Sequence, residues 1–115
     1  GVPSYQAFLK VQSHLVALGK AYSNELAYTT YYDFVQNMPE GRNKDLFQML
    51  GTLHALHTLR QDAEWYLEQG YIGGTKSKAI RQRVERLCTE LRPHIEVLVD
   101  GFGIPEHCMS APIAQ

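Results

Sequence analysis

Apolar positions recur every three or four residues through most of this chain, which is the period of an α-helix, and nowhere do they alternate as a half-buried strand requires. Between Asn43 and Gly70, residues Leu46, Met49, Leu50, Leu53, Leu56, Ala63 and Leu67 fall on one side of a helix drawn at about 100° per residue. Lys44, Gln48, Gly51, Thr52, Thr58 and Asp62 gather on the opposite side, which is expected to stay wet. Phe47, Leu59, Trp65 and Tyr66 widen the apolar arc, so this segment needs cover from at least two neighbours.

The preceding segment supplies one neighbour. Phe8, Leu15, Val16, Tyr22, Leu26 and Phe34 keep helical spacing, with Tyr5, Leu9, Gly19 and Ala27 on the same side, and no proline interrupts before Pro39. Ser4 is the expected N-cap. The resulting rod is about 50 Å long at 1.5 Å per residue, and its end around Tyr28, Tyr31 and Tyr32 is expected to overhang. The turn Met38 to Arg42 then joins it to the second helix, with Asn43 as N-cap. Gly70 is placed for a left-handed helix end and Thr75 for the cap of a third helix. In that helix Ile80, Val84, Leu87, Leu91, Ile95, Leu98 and Phe102 form a heptad-like seam. The seam crosses Pro93, which predicts a kink near residues 91 to 93 in one continuous helix. After Gly101 and Gly103, Ile104-Pro105 restarts a short turn of helix to about Met109, and Ala111 to Ala114 trails as an extended tail.

The pattern therefore predicts an all-α fold: an up-down-up antiparallel bundle with helices over about 4–37, 43–69 and 76–101 and a short C-terminal turn, in one domain spanning 1–115. Composition agrees. At 115 residues with 44% hydrophobic and 20% charged residues, the chain suits one globular core. A net charge of -1 provides no general attraction for nucleic acid or anionic lipid, and no uncharged apolar run reaches the ~18 residues of a membrane span. The N-terminal GVPSYQAF lacks a signal-peptide pattern. Cys88, on an apolar helical face, and Cys108 read as reduced and structural, so an intracellular setting fits best.

Candidate chemistry is sparse. His54 and His57 stand at i, i+3, a spacing that can hold a metal where further ligands converge; with Arg60 and Glu64 on the same side, they read more simply as histidines bordering the core beside a half-buried ion pair. His14, His94 and His107 are scattered. Lys76, Lys78, Arg81, Arg83 and Arg86 make the third helix basic at its start, a possible phosphate stripe, yet Glu85 and Glu90 interleave and a solvated face is the simpler reading. Tyr22, Tyr28, Tyr31 and Tyr32 suit an interface better than a stacking site. No nucleophile triad, phosphate-cradling glycine loop or CxxC pair occurs. No catalytic, cofactor-binding or metal-binding residue is assigned.

Two blocks carry a resemblance to a known family. Leu53, Ala55, Leu56, Leu59, Asp62, Trp65, Leu67, Glu68, Gly70, Tyr71 and Ile72 form one. Leu91-Arg92-Pro93-His94, Leu98-Val99-Asp100, Phe102-Gly103-Ile104-Pro105 and Ala111-Pro112-Ile113-Ala114 form the other. Together they resemble the C-terminal helical domain of the flavin-dependent acyl-CoA oxidases, and His14-Leu15, Leu18, Tyr22 and Phe34 fit its preceding helix more loosely. The resemblance implies a parent enzyme that uses FAD and oxygen to convert acyl-CoA to trans-2-enoyl-CoA and hydrogen peroxide, within fatty acid β-oxidation. It also implies a scaffold and dimer-interface role for this domain, with a homodimer partner and the rest of the flavoenzyme as its neighbours. Catalytic and flavin motifs of that family lie upstream of the matching region, so no FAD is expected on this chain alone and the chain alone is expected to be inactive. The resemblance further implies that an earlier helix of the domain is absent, and with the wide apolar arc of the second helix this predicts a truncated unit with an unfilled groove. The implied compartment is cytoplasmic in a bacterium and peroxisomal in a eukaryote. The alternative is a stand-alone helical interaction module whose groove takes a partner's amphipathic helix.

Overall fold

The computed structural model describes residues 3–114. Its elements are all helical: α1 (Ser4–Gln36), α2 (Arg42–Gln61), α3 (Ala63–Glu68), α4 (Gly74–Leu91) and α5 (Ile95–Asp100), with 3-10 turns at Arg92–His94, Glu106–Cys108 and Pro112–Ala114. No strand occurs among the described residues. The all-α class read from the periodicity is the observed one. Two compact units divide the chain, Gly1–Gly51 and Thr52–Gln115, with the boundary inside α2.

In the first unit the last turns of α1 pack on the first turns of α2. Val35 and Leu46 are buried there, and the ring of Phe47 meets Tyr31 at 6.4 Å and Phe34 edge-on at 6.5 Å between centroids. Lys44 is buried as well. Its ammonium reaches Glu40 Oε1 at 2.7 Å and the Gln36 carbonyl at 3.4 Å, so the cation sits where the α1 dipole ends in free carbonyls. This overturns part of the expected wet side of the second helix: Lys44 and Gly51 are inside. The long aliphatic stem of lysine and the missing side chain of glycine both let α1 approach, which a polarity pattern does not register. The expected overhang is also at the other end. Tyr31 is the packed part of α1, whereas every residue from Ser4 to Thr30 is exposed.

The second unit buries Val84, Leu87 and Leu91 along α4, with Leu87 fully inaccessible. Leu53, Leu56, Ala63, Tyr66, Ile72, Ile80 and Leu98 are half-buried, and α3 packs against α4. The expected helix 43–69 is interrupted at Asp62, whose φ of -105° and ψ of 15° leave the helical basin before α3 resumes; no proline or glycine causes the break. The expected helix 76–101 is divided too. Pro93 has no amide to give the carbonyl four residues back, the backbone tightens into the 3-10 turn Arg92–His94, and α5 follows as a separate helix. Beyond the division the seam is covered only at Leu98, which is half-buried, while Ile95 is 58% and Phe102 78% exposed.

Helix ends rest on backbone more than on the expected side-chain caps. Pro3 and Gly73 occupy the N-cap positions of α1 and α4, neither with a side-chain cap bond, and α2 begins at Arg42, which puts Asn43 inside its first turn. Ser4 and Thr75 are helical residues. Gly70 does take the left-handed conformation, with φ 72°. The turn after Pro105 is present as a 3-10 turn, and the tail expected to be extended forms a further one at Pro112–Ala114.

Candidate functional site

Three surfaces concentrate side chains that the fold leaves uncovered. The largest is the apolar face of α1. Tyr5, Phe8, Leu9, Leu15, Val16, Tyr22 and Leu26 are between 47% and 71% exposed, although their spacing is that of a helix made to be covered. Tyr28 and Tyr32, one turn apart on the other side of the helix at about 100° per residue, are also exposed and stack at 6.4 Å. A contiguous exposed apolar strip of this length is the signature of an interaction surface.

Tyr31 fixes this helix at its packed end. Its hydroxyl donates to the Phe47 carbonyl at 2.8 Å, and burial raises its pKa above the usual tyrosine value because desolvation disfavours the phenolate. Of the four tyrosines named from the sequence as interface material, Tyr22, Tyr28 and Tyr32 remain exposed and Tyr31 is internal.

The second surface is an aromatic cluster after α3. Trp65 lies 5.2 Å from Tyr66 and 5.7 Å from Tyr71, with Tyr66 and Tyr71 at 6.4 Å. The third is a cleft of about 280 Å³ between the end of α2, α3 and the start of α4, lined by Arg60, Ala63, Gly74, Ser77, Lys78, Ile80 and Arg81. The sequence placed Lys78 and Arg81 on a basic stripe but gave no sign that Arg60 joins them. The signal lay in chain length: the twelve or so residues between Arg60 and Gly74 hold one short helix and a glycine turn, which return the chain on itself.

His54 and His57 are exposed on α2. His57 Nε2 lies 3.3 Å from the Gln61 side-chain nitrogen, and no group of three or more His, Cys, Asp or Glu able to hold a metal occurs among the described residues. Arg60 and Glu64 are exposed, contrary to the half-buried ion pair expected from their spacing. Arg83, another member of the basic stripe, pairs with Glu90 at 3.9 Å. Cys88 and Cys108 are free thiols, both exposed, so Cys88 does not face the core. No described helix is long and apolar enough to cross a membrane.

Comparison with known proteins gives a consistent result. A family model described as acyl-CoA oxidase matches residues 1–115. Acyl-coenzyme A oxidase 3, peroxisomal, of Arabidopsis thaliana is 38% identical over 104 residues, covering 89% of this chain and 15% of that protein. A shorter Arabidopsis thaliana protein, named provisionally as an acyl-coenzyme A oxidase, is also 38% identical over 104 residues, covering 89% of this chain and 54% of its own. Acyl-coenzyme A oxidase 2, peroxisomal, of the same plant is 28% identical over 111 residues, covering 96% of this chain and 16% of that protein. The chain thus spans about half the length of one relative and less than a fifth of the others. No solved structure matches it.

Proposed function

The chain belongs to the acyl-CoA oxidase family, and from that premise we propose that it is the C-terminal helical domain of an FAD-dependent oxidase, with a structural and dimer-interface role and no reacting group of its own. The observation that carries this reading is the uncovered apolar face of α1 from Tyr5 to Leu26, in a chain that corresponds to 15% of a full-length relative. Such a face calls for protein cover, and the remainder of the parent enzyme and its dimer partner are the nearest sources. The parent's reaction takes acyl-CoA and oxygen to trans-2-enoyl-CoA and hydrogen peroxide, in a peroxisome if the source is eukaryotic and in the cytoplasm if bacterial.

The cleft at Arg60 does not fit FAD. It has about 280 Å³, below the ~300–1,000 Å³ that buries a drug-sized ligand, and FAD is larger than most of those. No step of the oxidation is therefore assigned to this chain. Its contribution is to hold apolar surface in one orientation along a rod of about 50 Å.

The test is a pair of measurements. Purified on its own, the chain should show no flavin absorbance and no acyl-CoA-dependent peroxide formation; either signal would contradict the reading. In sedimentation it should self-associate through the α1 face, and Leu15→Asp should reduce that association. A well-behaved monomer would favour instead a free-standing module that takes a partner's amphipathic helix.

A further inference from the structure

The cleft between α2, α3 and α4 has a charge pattern that a scaffold does not require. Arg60 comes from the last turn of α2, while Lys78 and Arg81 come from the first two turns of α4, and all three border the same concave space. Among the described residues, none of the three is in an ion pair within 4 Å. The acidic side chains closest in sequence are Asp62 and Glu64 beside Arg60 and Glu85 four residues after Arg81, all exposed, and none closes a bridge to the three cations.

Three like charges around one cleft repel one another, and a concavity lined by one sign of charge focuses its field toward an oppositely charged ligand. Two further features have the same sign. The N-cap of α4 is Gly73, with no side-chain cap bond, and its first turn carries no acidic residue, so its first amides and positive dipole end are uncompensated. Ser77, half-buried in the lining, adds a hydroxyl donor. Ala63 and Ile80 give the cleft an apolar wall.

We infer that this cleft binds a small phosphate-bearing anion, with Arg60, Lys78 and Arg81 as its cationic contacts and Ser77 as a neutral donor. A phosphoryl group accepts from several donors at once, matching guanidinium forks and an ammonium better than a single carboxylate does. The volume admits a phosphoryl or pyrophosphoryl group with a few apolar atoms against Ala63 and Ile80. The site uses no residue of α1 and does not depend on the scaffold role proposed above.

The shared chemistry has two sources, a free inorganic phosphate or a phosphate ester on a larger molecule such as coenzyme A. Isothermal titration of the 115-residue chain at low salt, with inorganic pyrophosphate in one arm and coenzyme A in the other, separates them. Binding in either arm should weaken about tenfold in Arg60→Glu and Arg81→Glu, and on raising salt from about 20 to 150 mM. Arg86→Glu makes the same charge change on the same helix, three turns beyond its N-terminus and outside the cleft lining, and should alter affinity less than about twofold. Pyrophosphate binding with this dependence supports the site with a free anion as ligand. Binding of coenzyme A alone with the same dependence supports it with an ester as ligand. Absence of binding in both arms, or equal loss in Arg86→Glu, overturns it; circular dichroism of each variant keeps loss of helix from imitating loss of binding.

Discussion

A Cβ placed on Gly51 would stand 2.7 Å from Tyr31 Cε1 and 3.1 Å from Cδ1, well inside the 3.5–4.0 Å at which carbons attract. The ring is not free to swing aside, because its hydroxyl is held by the Phe47 carbonyl at 2.8 Å. Alanine in a helix gains about 0.8–1 kcal/mol over glycine, while overpacking costs about 1–3 kcal/mol. The clash should win. Gly51→Ala is expected to lower stability by about 1 kcal/mol in urea unfolding, and a stabilised variant would show that the ring relaxes freely.

Tyr31 itself predicts an alkaline transition. Its folded-state pKa lies above the ordinary value of 10.0 because burial disfavours the phenolate. The folded state therefore holds this proton more tightly than the unfolded chain does. Its contribution is fully present below pH 10.0 and is lost as pH rises through the folded value. Tyr31→Phe should lose about 0.5–1.5 kcal/mol with the hydrogen bond and flatten this part of the pH profile, measurable by urea midpoints across the alkaline range. The same residues mark where sequence reading stopped. Lys44 and Gly51 count as polar or neutral in a periodicity, yet one contributes an aliphatic stem and the other an empty position, and only contact with α1 reveals either use.

Among the elements, the end of α3 is the one the sequence described most fully. Gly70, at φ 72°, donates to the Leu67 carbonyl at 3.1 Å, and the Tyr71 amide donates to the Tyr66 carbonyl at 3.0 Å. These are the two bonds of a Schellman end, and the accompanying side-chain contact is the Tyr66–Tyr71 ring pair at 6.4 Å. A single glycine announces this motif because only glycine takes that conformation without a Cβ penalty. Gly70→Ala should cost about 1 kcal/mol and lower the midpoint of thermal unfolding. Gly73→Ala, where φ is -94° and nothing lies within 4 Å, should be neutral or better.

Helix interiors were legible to the extent that one face alone is covered. Val84, Leu87 and Leu91 were placed on a seam and are buried, because three apolar residues at steps of three and four leave little choice of face. Beyond Leu91 the same spacing misled at Ile95 and Phe102, since the 3-10 turn at Arg92–His94 rotates by about 120° per residue where an α-helix rotates by about 100°, which puts Ile95 out of register. Leu87→Ala should therefore cost the full 2–5 kcal/mol of a core truncation. Leu53→Ala, on a half-buried position of α2, should cost less than half as much. Equal costs in denaturant titration would mean that Leu53 is covered more deeply than its exposure indicates.

At the scale of the whole molecule, the contrast between α1 and α4 becomes a statement about what the chain can do by itself. A helix with no tertiary cover relies on propensity and on its own hydrogen bonds, and even good helix formers are only marginally stable under those conditions. From Ser4 to Thr30 α1 is in that position, with β-branched Val11, Val16, Thr29 and Thr30 and with Gly19 among its residues, all poor helix formers. Its amides should therefore exchange with solvent within seconds to minutes in the isolated chain, diluted until it is monomeric, while those of Val84 to Leu91 persist far longer, because local opening is governed by how much buried contact each segment has. In a longer polypeptide carrying the rest of the oxidase, the α1 amides should slow by orders of magnitude, since cover supplied by a partner adds its binding free energy to the stability of the segment it holds. Hydrogen exchange read by mass spectrometry on both forms measures the difference directly. Equal protection of α1 in the two would mean that its apolar face needs no partner, and the scaffold reading would lose its support.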